Sequence, residues 1–206
     1  MLDHALPPSN ADDRKGEMNV TSPSEGRDGL APRSTCEPPS TVDGFDVLDA
    51  CHRQILFTLG KLAAVVSRLK GIGPDDEARR MAAEIVGFFS TTAREHHRDE
   101  ERHVFPALLA TGDPEIVQAV SRLQQDHGWL EEDWMEIAPH LDAVACGNAW
   151  YDLDLLQEAT EVYIALSHDH IALEESCIYP EARARLKLGE RREIGRQMAA
   201  RRAARR

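Results

Sequence analysis

Cysteine is scarce in this 206-residue sequence and follows no pattern. The four cysteines form no Cys-x-x-Cys pair and have no regular spacing: Cys36, Cys51, Cys146 and Cys177. A disulfide framework is therefore not expected, and the lack of a cysteine claw disfavours a structural zinc site. This cysteine usage favours a reducing, cytoplasmic setting.

Long apolar runs are also missing. No stretch reaches the length of about 18 apolar residues that a membrane-spanning helix needs. The N-terminus is rich in Pro and Asp, where a signal peptide requires a basic and then an apolar stretch. We expect neither secretion nor a membrane-spanning segment.

The first 42 residues lack apolar periodicity. They hold six of the eleven prolines, together with scattered Ser, Gly and Asp. Such a segment buries too little apolar surface to offset the entropy lost on ordering. The sequence therefore predicts a disordered extension over residues 1–42, a folded domain over 43–181 and a basic helix or tail over 182–206.

Charge is distributed unevenly between the last two segments. Residues 43–181 contain 27 Asp and Glu against 10 Lys and Arg, whereas residues 182–206 contain 10 Lys and Arg against 2 Glu. An acidic domain argues against general nucleic-acid binding. The basic segment could contact nucleic acid or anionic lipid, but a basic helix lying on the acidic domain explains the same charges and is the preferred interpretation.

From residue 43 onward, apolar residues recur at steps of three and four in four segments, which is typical of amphipathic helices. Each stripe is interrupted by residues able to bind metal: His52 in the first, His96 and Glu100 in the second, His127 in the third, and His170 and Glu174 in the fourth. Short connections join the segments. The sequence thus predicts an all-α protein, an antiparallel up-down-up-down four-helix bundle followed by a short basic C-terminal helix.

Two copies of one motif stand out, at residues 96–106 and 170–180. Both read His, three residues, Glu-Glu, two residues, an aliphatic residue, an aromatic residue and Pro. Residues four apart share a helix face, so His96 and Glu100 point the same way, as do His170 and Glu174. A single pair of this kind is usually a surface ion pair. Its repetition with the same flanking residues favours a metal site.

Together the stripes supply six donors, or seven with Glu131, which follows His127 by one helical turn. The candidate metal ligands are His52, His96, Glu100, His127, Glu131, His170 and Glu174. Imidazole and carboxylate together suit iron, manganese or zinc. This set exceeds the needs of one tetrahedral ion, so we expect two ions bridged by carboxylates.

The doubled motif, with His52, His127 and the C-terminal segment from Ile194 to Arg202, resembles the hemerythrin-like, or HHE cation-binding, family over about residues 43–202. The resemblance implies a non-haem di-iron centre with an oxo, hydroxo or water bridge. It also implies bridging carboxylates and terminal imidazoles at these positions: Glu100 and Glu174, then His52, His96, His127 and His170. Glu131 departs from the oxygen-carrying hemerythrins, which have a second His there, and this weakens the expectation of an oxygen carrier.

Several neighbours of these positions receive weaker interpretations. His97 and His168 lie off the buried stripes and are predicted to face solvent. Glu101 and Glu175 are predicted to be outer-face charges. His103, seven residues after His96, is a candidate spare ligand or a group supporting the ligands.

Three classes of function remain open. The first is a di-iron protein that binds or reacts with oxygen, nitric oxide or peroxide. The second is a non-catalytic iron-binding module for storage, delivery, sensing or repair of iron–sulfur clusters. The third is a regulatory protein whose metal only stabilises the bundle. The residues do not decide whether the protein is an enzyme, nor do they define its oligomeric state.

Overall fold

The computed structural model describes residues 42–204, and these are helical apart from short connections, with no strand among them. The helices are α1 (Gly44–Gly71), α2 (Asp76–Phe88), α3 (Arg94–His103), α4 (Phe105–Leu109), α5 (Pro114–Ala145), α6 (Leu153–Leu173), α7 (Tyr179–Arg185) and α8 (Leu188–Ala203). Two π-helical turns join α2 to α3 and α6 to α7, at Phe89–Ala93 and Glu174–Ile178. The predicted extension lies outside the described residues except for Val42. None of the described helices is long and apolar enough to cross a membrane.

Aspartates begin the long helices. Asp43, Asp75, Asp113 and Asp152 each precede a helix and accept a hydrogen bond from a backbone amide of its first turn. A carboxylate here satisfies an amide that has no partner within the helix and also meets the positive end of the helix dipole. These caps explain why the helices begin where the sequence changes from turn residues to apolar periodicity.

The core consists of two apolar layers, and the chain passes between them four times. The first layer includes Phe45, Leu48, Val104, Phe105, Val120, Leu123, Ile178 and Tyr179. The second layer includes Leu59, Leu62, Ile85, Phe89, Ile137, Leu141, Leu156 and Tyr163. The helix α1 runs from the first layer to the second, α2 to α4 run back, α5 repeats the first direction, and α6 to α7 return. The predicted antiparallel four-helix bundle is confirmed.

The basic C-terminal helix α8 packs on this bundle. Met198 is fully buried in the first layer, and Ile194 packs against the same layer. Arg201 forms an ion pair with the buried Asp99, and Arg202 lies 3.4 Å from the same carboxylate. A carboxylate buried without a positive partner is costly, so these arginines offset the burial of Asp99. This supports the interpretation that the basic segment lies on an acidic bundle.

Candidate metal centre

A polar slab separates the two apolar layers. It contains six side chains with at most 6% of their surface exposed: His52, His96, Glu100, His127, His170 and Glu174. Each side chain lies on the buried face of its helix, at the point where the helix passes from one apolar layer to the other. Burying carboxylates and imidazoles together is expensive unless hydrogen bonds or a bound cation compensate.

The carboxylate of Glu100 lies between two imidazoles. The Nε2 atom of His96, one turn earlier on the same helix, is 3.2 Å from Glu100 Oε1. The Nε2 atom of His127, on α5, is 3.5 Å from Glu100 Oε2. Each oxygen of this carboxylate therefore faces a different imidazole.

Glu174 repeats this arrangement in the second motif. The Nε2 atom of His170 is 3.2 Å from Glu174 Oε1, and the Nε2 atom of His52, on α1, is 3.0 Å from Glu174 Oε2. Ligand atoms about 2.1 Å from one ion and adjacent in its coordination shell lie about 3 Å apart. The observed spacings are compatible with atoms that share an ion.

The six side chains form two overlapping groups of donors. One group consists of His52, His96, Glu100 and Glu174, and the other of Glu100, His127, His170 and Glu174. Within each group the ligand atoms lie within 4.8 Å of one another. Both carboxylates belong to both groups. The geometry thus offers two candidate positions for a cation, each with its own pair of imidazoles and both sharing the two carboxylates.

Many polar atoms of the slab have no hydrogen-bond partner that would compete with such ions. Most of the buried side-chain atoms that lack a hydrogen bond in the described part of the chain belong to this slab, including both ring nitrogens of His96 and His170 and both oxygens of Glu174. A buried polar atom without a partner costs about 1–3 kcal/mol. A concentration of such atoms fits a site whose missing partners are metal ions.

Burial shifts the pKa values of the slab residues in different directions. Burial and the charge of Glu174 raise the pKa of Glu100 to about 7, although the imidazole of His127 opposes the rise. Burial lowers the pKa of His96 well below its usual value. His96 is therefore a neutral imidazole, which is the form that donates a lone pair to a metal.

The second glutamate of each motif is exposed, as predicted for an outer-face charge, but it also contacts an imidazole of the slab. Glu101 is about half exposed, yet its Oε1 lies 2.9 Å from His127 Nδ1. Glu175 is likewise about half exposed, and its Oε1 lies 3.0 Å from His52 Nδ1. Each carboxylate holds a proton on Nδ1, which leaves the lone pair of Nε2 facing the donor group. The duplication of Glu-Glu in both motifs was the available signal.

The aromatic residue of each motif packs on the same imidazole that its glutamate orients. Phe105 stacks on His127 with the ring centroids 5.7 Å apart, and Tyr179 stacks on His52 at 5.1 Å. The Tyr179 hydroxyl also donates a hydrogen bond to Glu100 Oε1. Sequence reasoning assigned no role to either ring.

A π-helical turn explains the position of Tyr179. In an α-helix, residue 179 would lie about 140° around the axis from Glu174. The turn Glu174–Ile178 bonds residues five apart instead, which brings the two residues towards one face. The sequence pattern contains no signal for this turn, because it depends on packing.

Glu131 requires a correction. The sequence placed it on the buried face as a seventh donor, but half of its side chain is exposed and it forms an ion pair with Arg94 at the surface. The buried stripe of α5 passes through Leu130 and Trp134 instead. Position 131 lies on the opposite side of His127 from that stripe, so Glu131 is not part of either donor group.

The remaining histidines have different outcomes. His168 is exposed, which confirms the prediction. His97 was wrongly predicted to face solvent: it is partly buried, and its ring stacks on His127 at 4.1 Å. His103 lies outside both donor groups and contacts Arg201, with 3.2 Å between its Nε2 and the guanidinium. Burial and this arginine lower the pKa of His103 to about 4.

A pocket of about 360 Å³ leads to the second donor group. Its apolar lining includes Phe89, Leu130, Trp134 and Tyr163. His97 and His127 lie along its wall, and Arg94 and Glu131 lie at its polar part. His127 therefore meets both the carboxylate pair and a space large enough for a small molecule, whereas His52 is fully buried.

A family model described as the hemerythrin HHE cation binding domain matches residues 43–182. The chain belongs to this family. The match establishes a helical, metal-binding domain and confirms the resemblance of the doubled motif. An uncharacterized protein of Haemophilus influenzae is 27% identical over 158 residues, which cover 77% of this HHE protein and 89% of that relative.

Proposed function

We propose that this HHE protein holds a non-haem di-iron centre that binds or reacts with a small ligand such as oxygen, nitric oxide or peroxide. One observation carries the proposal: two donor groups share both of their carboxylates, Glu100 and Glu174. Imidazole and carboxylate without thiolate suit iron. A bound iron pair would supply electrons and a coordination position for the small ligand.

The proposal assigns a place to each donor. His52 and His96 would hold the first ion, His127 and His170 the second, and Glu100 and Glu174 would bridge both, since the oxygens of each carboxylate face imidazoles of different groups. Such a site needs no donor from outside residues 42–204. A cytoplasmic location stays a prediction from cysteine usage, and the described cysteines are free thiols.

Neighbouring residues fix the tautomers and the orientation of the proposed ligands. Glu101 and Glu175 fix the tautomers of His127 and His52. The hydroxyl proton of Tyr179 holds Glu100 in place. These groups would keep the imidazole and carboxylate lone pairs directed at the positions proposed for the ions.

The pocket favours a ligand-reactive centre over a metal that only stabilises the bundle. It gives a small molecule a route to the ion proposed at His127, along a wall that includes the apolar side chains of Phe89, Leu130, Trp134 and Tyr163. A purely stabilising metal needs no such route. A storage or delivery module would also bind iron, but it would not require fast reaction with a small ligand.

Metal analysis of the freshly purified protein, together with an optical spectrum, tests the proposal. We expect two irons per chain and near-ultraviolet absorption. His170→Ala and Glu174→Ala should each reduce iron content strongly, while the matched control His168→Ala, on the exposed face of the same helix, should not. Stopped-flow mixing with oxygen, peroxide and nitric oxide then separates a reactive centre from storage. A colourless zinc protein, or equal losses at 168 and 170, would contradict the proposal.

A further inference from the structure

Asp126 is a buried carboxylate that belongs to neither donor group. It lies on α5, directly before His127, and only 1% of its surface is exposed. Its Oδ2 atom is 3.7 Å from Nδ1 of His170, on α6. This residue was not among the candidates predicted from the sequence.

Asp126 interrupts the apolar stripe of α5. Leu123 precedes it by three residues and Leu130 follows it by four, and both leucines are buried. These steps place the carboxylate on the core-facing side of the helix. An ionised carboxylate in such a place is destabilising unless a hydrogen-bond donor or a cation compensates. The burial of Asp126 therefore requires a partner.

Two groups close to Asp126 can act as this partner. The Nε atom of Arg122, one turn earlier on the same helix, is 3.8 Å from Asp126 Oδ2, but more than half of the arginine side chain is exposed, so the pair contributes little. The Nδ1 atom of His170 is buried instead. Among the described residues neither this atom nor Asp126 Oδ2 has a hydrogen bond. A movement of about 0.8 Å would bring them to hydrogen-bond distance and satisfy both.

The same relation occurs at two other imidazoles of the slab. The Nδ1 atom of His127 lies 2.9 Å from Glu101, and that of His52 lies 3.0 Å from Glu175. In both pairs the carboxylate comes from a different part of the bundle than the imidazole. His170 has the same two-sided arrangement, with a shared carboxylate 3.2 Å from its Nε2 and a second carboxylate on its Nδ1 side.

We propose that Asp126 is a positioning residue that accepts the Nδ1 proton of His170 and thereby directs the Nε2 lone pair of this imidazole at the second ion. This assignment rests on the proposed metal pair. A carboxylate bonded to the far nitrogen of a metal-bound imidazole fixes its tautomer and orientation and makes it a stronger donor. Three of the four imidazoles would then have a supporting carboxylate, whereas in the described part of the chain both ring nitrogens of His96 lack a hydrogen bond.

Nitrogen-15 NMR of the histidine rings in the full-length, zinc-loaded protein tests this assignment without any activity. The His170 signals are assigned through bonds from its backbone. We expect a zinc-bound Nε2 and a protonated Nδ1 whose proton exchanges slowly with water, because its acceptor is buried. In Asp126→Ala this proton should exchange faster. A wild-type ring whose Nδ1 carries no proton would overturn the assignment, and so would an exchange rate that Asp126→Ala leaves unchanged.

Zinc affinity, measured by competition with a chelator, separates positioning from packing. Asp126→Ala should lower the affinity for the second zinc about 10–100-fold, as the loss of such a supporting group typically does. Asp126→Asn keeps the shape and an acceptor oxygen, so it should retain more affinity than Asp126→Ala. The matched control is Asp169→Ala, because Asp169 also directly precedes a histidine of the slab but is exposed. This control and Arg122→Ala should both bind zinc as the wild type does.

The outcomes distinguish this assignment from the function on which it rests. If the wild type binds no pair of ions, the proposed function fails. If the wild type binds a pair and both Asp126 variants keep its affinity, only the assignment of Asp126 fails. The assignment also fails if Arg122→Ala reproduces the loss, since the carboxylate would then act through the arginine. Equal losses in the Ala and Asn variants with unchanged His170 signals would likewise overturn it, because they would indicate a packing role.

Discussion

Replacing Gly195 by Ala should weaken the packing of α8 against the start of α1. A methyl group at position 195 would overlap the carbonyl oxygen of Val42 and lie 3.2 Å from the amide nitrogen of Gly44. Both contacts are with backbone, which cannot rotate away as a flexible side chain can. The helices must therefore separate, and the burial of Met198 in the first apolar layer is weakened.

A matched substitution isolates the size of this effect. Gly60 lies inside α1 with no atom within 4 Å of a methyl group placed there. Gly60→Ala should stabilise the protein by about 1 kcal/mol, because Ala favours the helix over Gly by that amount. Gly195→Ala gains the same helical preference but adds an overpacking cost of about 1–3 kcal/mol. The difference between the two variants should thus be about 1–3 kcal/mol, with Gly195→Ala the less stable.

Urea denaturation followed by circular dichroism measures this difference, with both variants in the metal-free state so that metal binding does not contribute. The slope of the transition should stay the same, so the midpoints report stability directly. Equal stability of the two variants would refute the packing of α8 on α1. The result bears on the centre because α8 also carries Arg201, which pairs with Asp99 beside Glu100.

Three further predictions concern the centre itself. Tyr179→Phe removes the hydrogen bond to Glu100 while keeping the ring, so the metal-free protein should lose about 1.5–3 kcal/mol in urea denaturation; unchanged stability would show that the hydroxyl is not needed there. Glu175→Ala frees His52 Nδ1 and should weaken zinc binding about 10–100-fold in competition with a chelator, and wild-type affinity would contradict the orienting role. Burial alone lowers the pKa of His170, but neighbouring carboxylates outweigh it and raise the pKa to about 10. Zinc must therefore displace a proton at neutral pH, and its affinity should fall about tenfold for each unit that pH is lowered, whereas a pH-independent affinity would mean that this imidazole is already neutral.

Much of the bundle, and the placement of six candidate donors on buried helix faces, can be read from the sequence because both follow from the helical period. The apolar residues of α1 recur with the steps of one helix face, and His52 interrupts that face where the chain crosses the slab. The spacing of four between His96 and Glu100 places both on one side of any α-helix. These inferences need no knowledge of how the helices are arranged.

Side chains about 100° from the buried stripe were predicted less well. The helix period shows that Glu101, Glu175 and His97 lie off the central axis, but it does not show whether that direction leads to solvent or to the next helix. In this bundle it leads to the next helix, where Glu101 meets His127 and Glu175 meets His52.

Glu131 and Glu100 show what sequence spacing alone cannot decide. Both residues follow a histidine of the slab by four positions, so sequence spacing does not distinguish them. The sequence by itself determines the helices, their buried faces and the repeated motif. Only the tertiary structure decided that Glu100 meets the imidazole of His127 on a neighbouring helix while Glu131 pairs with Arg94 at the surface. The reason is that a helix period defines directions relative to its own axis, whereas a metal site depends on where the axes of several helices cross.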